Sequence, residues 1–353
     1  MSTFVQLHLL TSYPPSNLNR DDLGRPKQAM MGNANRLRVS SQSLKRAWRQ
    51  SAVFESSLAE NRGVRTKRMG KDVYKRLIDA GVKEKVALDT AAIVAKQFGK
   101  QQSPDSSNKE AHRELEIEQL AHISPEEKNA IDALVARTVE TGNVPSEKEV
   151  DLVRKGASAA DIALFGRMLA ARPEHNVEAA AQVAHAISVH AVAVEEDYFT
   201  AVDDLCHDAD ESGAGHLGET EFAASVFYLY VCVDRDLLLE NLGGDKELAD
   251  TALRALVESA ATVAPTGKQN SFGSRARASF ILAEKGPQQP RSLSVAYLKP
   301  IERCNVLEDA VARLKSARES MERAYGACAD DTRVMDTIAG EGTLAEIADF
   351  VTE

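Results

Sequence analysis

Paired cysteines, an export signal and a membrane span are all missing from this 353-residue sequence. Its four cysteines, Cys206, Cys232, Cys304 and Cys328, are scattered and form no Cys-x-x-Cys pair. That argues against a disulfide framework or a structural zinc site and fits a reduced, cytoplasmic protein. Met1-Ser-Thr leads straight into alternating residues, with no basic n-region and no long apolar run, so neither a secretory leader nor a transmembrane helix is expected. Hydrophobic content of 43% and charged content of 27% are those of an ordinary globular protein. A chain this long builds a large core and usually divides into about two domains.

The most informative absence is local. No carboxylate occurs between Asp22 and Glu55, and from Asn17 to Gln50 eight Lys and Arg face only Asp21 and Asp22, a net of plus six in a protein of net charge -10. From Leu18 to Arg76 fifteen cations oppose five acids, net plus ten, which leaves twenty-eight against forty-eight, net minus twenty, elsewhere. Charge segregated in this way marks a site for a polyanion, while the acidic remainder opposes indiscriminate coating. The basic segment ends in a helix expected from about Ser41 to Phe54. Leu44, Ala47, Trp48, Ser51 and Phe54 fall on its core stripe, and Gln42, Lys45, Arg46 and Arg49 fall outside it. Ser40 and Ser41 supply cap hydroxyls with no acid in the first turn, so the helix N-H groups are expected to be left for phosphate. A solvated basic face is the alternative.

Elsewhere the pattern alternates between strand and helix. Val5, Leu7 and Leu9 share one strand face and Gln6 and His8 the other, with Pro14-Pro15 expected to end the strand and a basic loop to follow. From about Asn61 to Arg172 the texture is helical, with glycines 81, 99, 142 and 156 at stops and capping boxes at Ser124 and Ser146. Residues 182–194 and Phe222 to Val233 read as core strands, Lys246–Thr262 and Glu302–Tyr325 as helices, and Arg277–Leu282 as a strand. The whole predicts an α+β, RRM-like (ferredoxin-like) fold interrupted by a helical insertion.

Three further clusters need weighing. Asp208, Asp210, Ser212 and Glu219 match calcium positions of an EF-hand, but Gly215 replaces the usual apolar residue and a strand, not a helix, is expected to follow. Cys206-His207 beside Asp203-Asp204 has no partner at ligand spacing, and His185 and His190, five apart in a strand, point to opposite faces. Tyr198-Phe199-Thr200 follows an acidic turn outside the expected core. Its rings suit base stacking, or else pack beneath the loop.

Leu18-Asn-Arg-Asp-Asp22 and Arg38-Val-Ser-Ser-Gln-Ser-Leu-Lys-Arg-Ala47, followed by Gly166-Arg-Met168, Asp197-Tyr-Phe-Thr-Ala-Val-Asp-Asp204 and His216-Leu-Gly-Glu-Thr-Glu-Phe222, resemble the CasC family. CasC is the backbone subunit of type I-E CRISPR Cascade surveillance complexes in antiviral defense. The resemblance implies a palm in two parts (1–60 and 176–353), a helical finger insertion (61–175) and a thumb-like loop at about 195–221. It implies copies stacked into a helical filament along the crRNA, with no catalytic residue, metal or cofactor. Arg20, Lys27, Ser40, Gln42, Lys45, Arg46 and Arg49 would hold the RNA backbone. Met168, Phe199 and Thr200 would shape kinks at regular intervals. Partners would be crRNA, target DNA through guide pairing for DNA interference, other Cascade subunits and a recruited helicase-nuclease. Two alternatives stay open: an RNA endonuclease of the type III backbone kind, for which Asp21 or Asp22 would have to serve, and a calcium-dependent interaction protein.

Overall fold

A computed structural model of the chain describes residues 2–103, 112–146, 149–154, 159–201, 216–302 and 304–353. In chain order it holds β1 (Phe4–Ser16), β2 (Gln28–Met31), β3 (Ala34–Val39), α1 (Ser41–Arg49), α2 (Ala52–Leu58), β4 (Val64–Thr66), α3 (Met69–Asp79) and α4 (Glu84–Phe98). There follow β5 (Ala121–Ile123), α5 (Pro125–Thr141), α6 (Ala160–Phe165), β6 (Ala181–Val183), β7 (Ala186–Ser188), β8 (Glu195–Ala201) and β9 (His216–Asp234). The last are α7 (Arg235–Asn241), α8 (Lys246–Thr262), α9 (Gln269–Phe272), β10 (Ala278–Gly286), α10 (Val306–Tyr325), β11 (Asp331–Asp336) and α11 (Leu344–Thr352). Two compact units result, one of residues 1–54, 182–233 and 253–353, the other of 55–181 and 234–252.

The first unit is the palm, built on a sheet of order β11-β10-β1-β9-β7-β3-β2. Its inner strands β1, β7, β9 and β10 lie in the order fourth, first, third, second. This is the arrangement of a ferredoxin-like or RRM-like unit, with α1 after the first strand and α8 before the last. β1 is buried on both faces from Val5 to Leu10 and does not stop at Pro14-Pro15. Its last residue paired with β10 is Thr11, opposite Ala278, so the prolines lie where no ladder bond on that side asks for an N-H. The run at 182–194 is two short strands, not one, and the basic loop contains a hairpin. At its tip Gly32 and Asn33 have φ of 60° and 59°, the type I′ turn that matches strand twist. A Cβ on Gly32 would meet the Leu298 carbonyl oxygen at 1.5 Å, so only glycine fits there.

Within that hairpin Arg36 is 0% exposed. Its guanidinium donates to the carbonyls of Met31 (3.3 Å), Ser188 (3.0 Å) and Tyr297 (2.9 Å), so the buried charge is held by backbone oxygens. One cation of the basic segment is therefore a structural clamp. The expected helix from Ser41 to Phe54 is broken at Ser51, whose hydroxyl donates to Trp48 O at 2.7 Å and accepts from Phe54 N at 3.3 Å. It ends one helix and caps the next. Leu44, Trp48 and Phe54 are buried as the stripe requires.

His8, expected simply on a sheet face, is fully buried in a polar cluster. Its Nδ1 lies 2.8 Å from the Tyr228 hydroxyl and its Nε2 3.2 Å from Glu284. Burial lowers the His8 pKa, so the neutral ring donates from Nε2 and accepts from Tyr228 at Nδ1. Burial alone would raise the Glu284 pKa. Hydrogen bonds from His8, from Arg291 on both carboxylate oxygens and from Arg318 at 2.8 Å more than offset that and hold it well below the usual range.

The second unit is mainly helical. α3, α4 and α5 bury Val73, Leu77, Val94, Ile131 and Leu134, and β4 pairs with β5. Ser124 and Glu127 form a full capping box on α5, and Gly142, at φ 66°, ends that helix. Glu127 also accepts two hydrogen bonds from Arg167 Nη1, at 2.8 and 2.9 Å, with both side chains at 0% exposure. Asp161 accepts from the Gly63 N-H at 2.8 Å and lies 2.9 Å from His122 Nε2.

Candidate nucleic-acid interface

The candidate interface is a loop, a hairpin and a helix of the palm. After β1, Asn17 anchors the loop by donating to the carbonyls of Gly24 (3.0 Å) and Glu221 (2.9 Å). Arg20 and Pro26 form a β-bridge that exposes the Arg20 side chain. The Lys27 N-H donates to Asn19 O and its carbonyl accepts from Arg38 N, each at 2.8 Å, which turns the loop into the hairpin. Asn19 then reaches the helix through Oδ1, which accepts from Ser40 N at 2.9 Å. Ser40 caps α1, accepting from Ser43 N at 3.3 Å. Arg20, Lys27, Ser40, Gln42, Lys45, Arg46 and Arg49 thus belong to one connected element. Gln42 and Arg46 are exposed, Lys45 and Arg49 half-buried, and Arg46 Nε donates to Gln50 Oε1 at 3.2 Å.

The helix start is less open than its sequence implies. Ser41 N-H donates to His185 Nδ1 at 3.1 Å, and Ser43 N-H to the cap, so in the first turn Gln42 N-H alone has no partner among the described residues. His185, which sequence reasoning set aside as a strand residue, sits in the break between β6 and β7, at the α1 terminus. Desolvation lowers its pKa, and the charges of Arg38, Lys27 and Lys45 lower it further. Arg38 Nη1 lies 3.4 Å from its Nδ1. The ring stays neutral beside these cations, accepting at Nδ1.

Phe199 and Thr200 lie in β8, which pairs with β9 as an antiparallel ribbon, where a loop was expected. Tyr198 is 61% and Phe199 42% exposed, so neither ring is packed away. Phe199 stands opposite Gly218, and its ring would be 2.4 Å from a Cβ placed there. The ring rests on glycine backbone. Residues 202–215, with Cys206, His207 and most of the EF-hand match, lie outside the described residues; Glu219 is in β9, opposite Tyr198. Among the described residues no group of three His, Cys, Asp or Glu side chains could hold a metal.

Met168 belongs to the helical unit and is 70% exposed between two fixed neighbours. Arg167 pairs in both directions with the Val177 backbone, and Leu169 N-H donates to Asn176 Oδ1 at 2.7 Å. Gly166 takes φ 78° to enter this turn. Met168 borders a cavity of about 330 Å³ lined also by Phe98, Lys100, Glu118 and Leu120.

An RRM-like palm carrying a cation-lined loop, helix and an aromatic ribbon defines an α+β protein of the nucleic-acid-binding class. More particularly, a family model described as CT1975-like protein matches residues 5–349, and the chain belongs to that family. Two solved structures share its fold across 99% of this chain and 99% of theirs. One, titled "CRISPR RNA-guided surveillance complex, pre-nicking", is 29% identical with a TM-score of 0.83. The other, "CRISPR RNA-guided surveillance complex", is 25% identical with a TM-score of 0.72. No curated protein sequence matches the chain. Among the described residues no helix is long and apolar enough to cross a membrane.

Proposed function

We propose that this chain is the CasC-like backbone subunit of a type I-E CRISPR surveillance complex, whose copies assemble along the guide RNA and present it to target DNA. The observation that carries this is the union in one unit of the Arg20–Lys27 loop, the acid-free helix α1 and the β8–β9 ribbon, in a chain similar end to end to subunits of RNA-guided complexes. The loop and α1 hold the sugar-phosphate backbone through Arg20, Lys27, Ser40, Gln42, Lys45, Arg46 and Arg49. Met168, Phe199 and Thr200 set the interval at which a base leaves the stack. Other subunits of the complex and a helicase-nuclease complete the set of partners.

The mechanism is templating. Of Asp21 and Asp22, one of which a type III-like nuclease would need, Asp21 is occupied in its own loop: Oδ1 accepts from the N-H of Leu23 (3.0 Å) and Arg25 (2.9 Å), and Oδ2 from Arg25 Nε (3.3 Å). The Arg25 N-H bond foremost lowers its pKa. Such a carboxylate organises a turn.

Purification with a co-expressed guide tests the reading. The expected result is a ladder of assemblies carrying one discrete RNA, with single mismatches in the target tolerated at a fixed period. Recovery without RNA, or divalent-metal-dependent cutting that Asp21→Ala or Asp22→Ala abolishes, would overturn it.

A further inference from the structure

The two longest runs of this sequence without Asp or Glu are Leu23 to Phe54 and Ser259 to Ala283. The first is the interface just described. The second carries Lys268, Arg275 and Arg277 among glycines, amides and hydroxyls. Far apart in sequence, the second run reaches the start of the basic loop that leads into the first. A Cβ at Gly267 would lie 2.3 Å from the Leu18 carbonyl oxygen and 2.7 Å from that of Asn17, so this backbone is pressed onto the start of the basic loop. Lys268, held at φ 48°, extends Nζ to Thr220 Oγ1 at 3.2 Å. Phe272 packs on Phe222 with ring centroids 5.6 Å apart. Thr220 and Phe222 are the β9 partners of Asp197 and Glu195, so Lys268 and Phe272 touch the root of the ribbon.

Arg275 and Arg277 are exposed, and neither makes an ion pair among the described residues. Cations presented without counter-charge beside an established cationic loop extend its potential in one direction. Here that direction runs from the Arg20–Lys27 loop to the ribbon that bears Phe199. A protein partner would ask for an apolar centre in the patch, which a Gly, Asn, Ser and Gln background does not supply.

We propose that residues 264–277 form a second phosphate-binding wall for the guide, with Lys268, Arg275 and Arg277 each meeting a backbone phosphate between the loop and the ribbon root. The assignment rests on the RNA-binding reading above. The full-length protein carrying Lys268→Asn, Arg275→Gln and Arg277→Gln is compared with Lys45→Ala/Arg49→Ala for binding of guide-length RNA across a salt series. Asparagine is chosen at 268 because it tolerates a left-handed backbone. Each lost phosphate contact lowers the log-log salt slope by about 0.7 on a single strand, so the triple variant is expected to lose about 2. That loss should add to the loss from the α1 pair.

An unchanged slope in the triple variant, while the α1 pair loses its share, overturns the second wall and leaves the first standing. Unchanged slopes in both overturn the RNA-binding reading itself. A loss seen only when guide-loaded assemblies bind target DNA overturns the guide assignment and gives the wall to the target strand. Folding is checked by melting temperature. If Lys268→Asn unfolds, the Arg275→Gln, Arg277→Gln pair decides alone, with an expected slope loss of about 1.4.

Discussion

Arginine does opposite work in the two units. In the helical unit Arg167 is sealed against Glu127 with neither side chain exposed, and also donates to the carbonyls of Arg154 (2.8 Å) and His175 (3.1 Å). In the palm Arg46 and Arg49 stand on a helix within a run that has no acid from Leu23 to Phe54, and Arg20 stands exposed on the loop before it. Arg36 shows that the division does not follow local charge, because it lies among those same cations and is as buried as Arg167. A cation's role is set by whether the fold offers it backbone carbonyls or a carboxylate. Counting charge along the sequence cannot register that.

The contrast can be broken most forcefully at Glu127. Glu127→Ala strands a buried guanidinium and should cost about 3–5 kcal/mol of stability in urea unfolding. Lys45→Ala/Arg49→Ala should do the reverse, flattening the RNA salt slope by about 1.4 while shifting stability by no more than about 0.5 kcal/mol. A large stability loss in that double variant would erase the distinction. Phe199→Ala should remove stacking worth about 1–3 kcal/mol per base and blur the periodic mismatch tolerance, with unfolding unaffected.

The smallest expected effect concerns acid. The folded-state pKa of His8 lies below its unfolded value of 6.5, so the unfolded chain takes up the proton first, and stability should fall as pH drops below about 6.5. Glu284, also lowered, loses its contribution at still lower pH as it protonates. His8→Gln should flatten the urea midpoint between pH 7.5 and 5.5, which a bystander His8 would leave unaltered.

Much of the fold was legible. β1, β9 and α8 in the palm and the Ser124 capping box in the helical unit follow from alternation, helical period and cap chemistry, and those signals are local. β11 and α11 lie outside the expected elements, although Thr343 and Glu346 form a capping box and so carry a readable Ser/Thr-x-x-Glu signal. The β2–β3 hairpin was hidden in a cationic loop, with only Gly32-Asn33 to announce it. Burial of Arg36 and His8 was not legible at all. Each depends on partners more than 150 residues away, Ser188 and Tyr297 for one and Tyr228 and Glu284 for the other. His185 joined the interface only because the strand around it is interrupted, a fault in the alternation that the run of valines and alanines conceals.

The pairing of Phe199 with Gly218 has a consequence for mutational tolerance. Position 218 is surface-accessible, yet any side chain there would lift the ring from its seat, so a saturation scan should find it as intolerant as a core leucine for function and permissive for folding. A ring already parked on bare backbone also has little rotational freedom left to surrender. A flat ligand stacking on it is spared the ordering cost of about 0.5–1.5 kcal/mol that a loose aromatic would exact, and the shelf is in place before the ligand arrives.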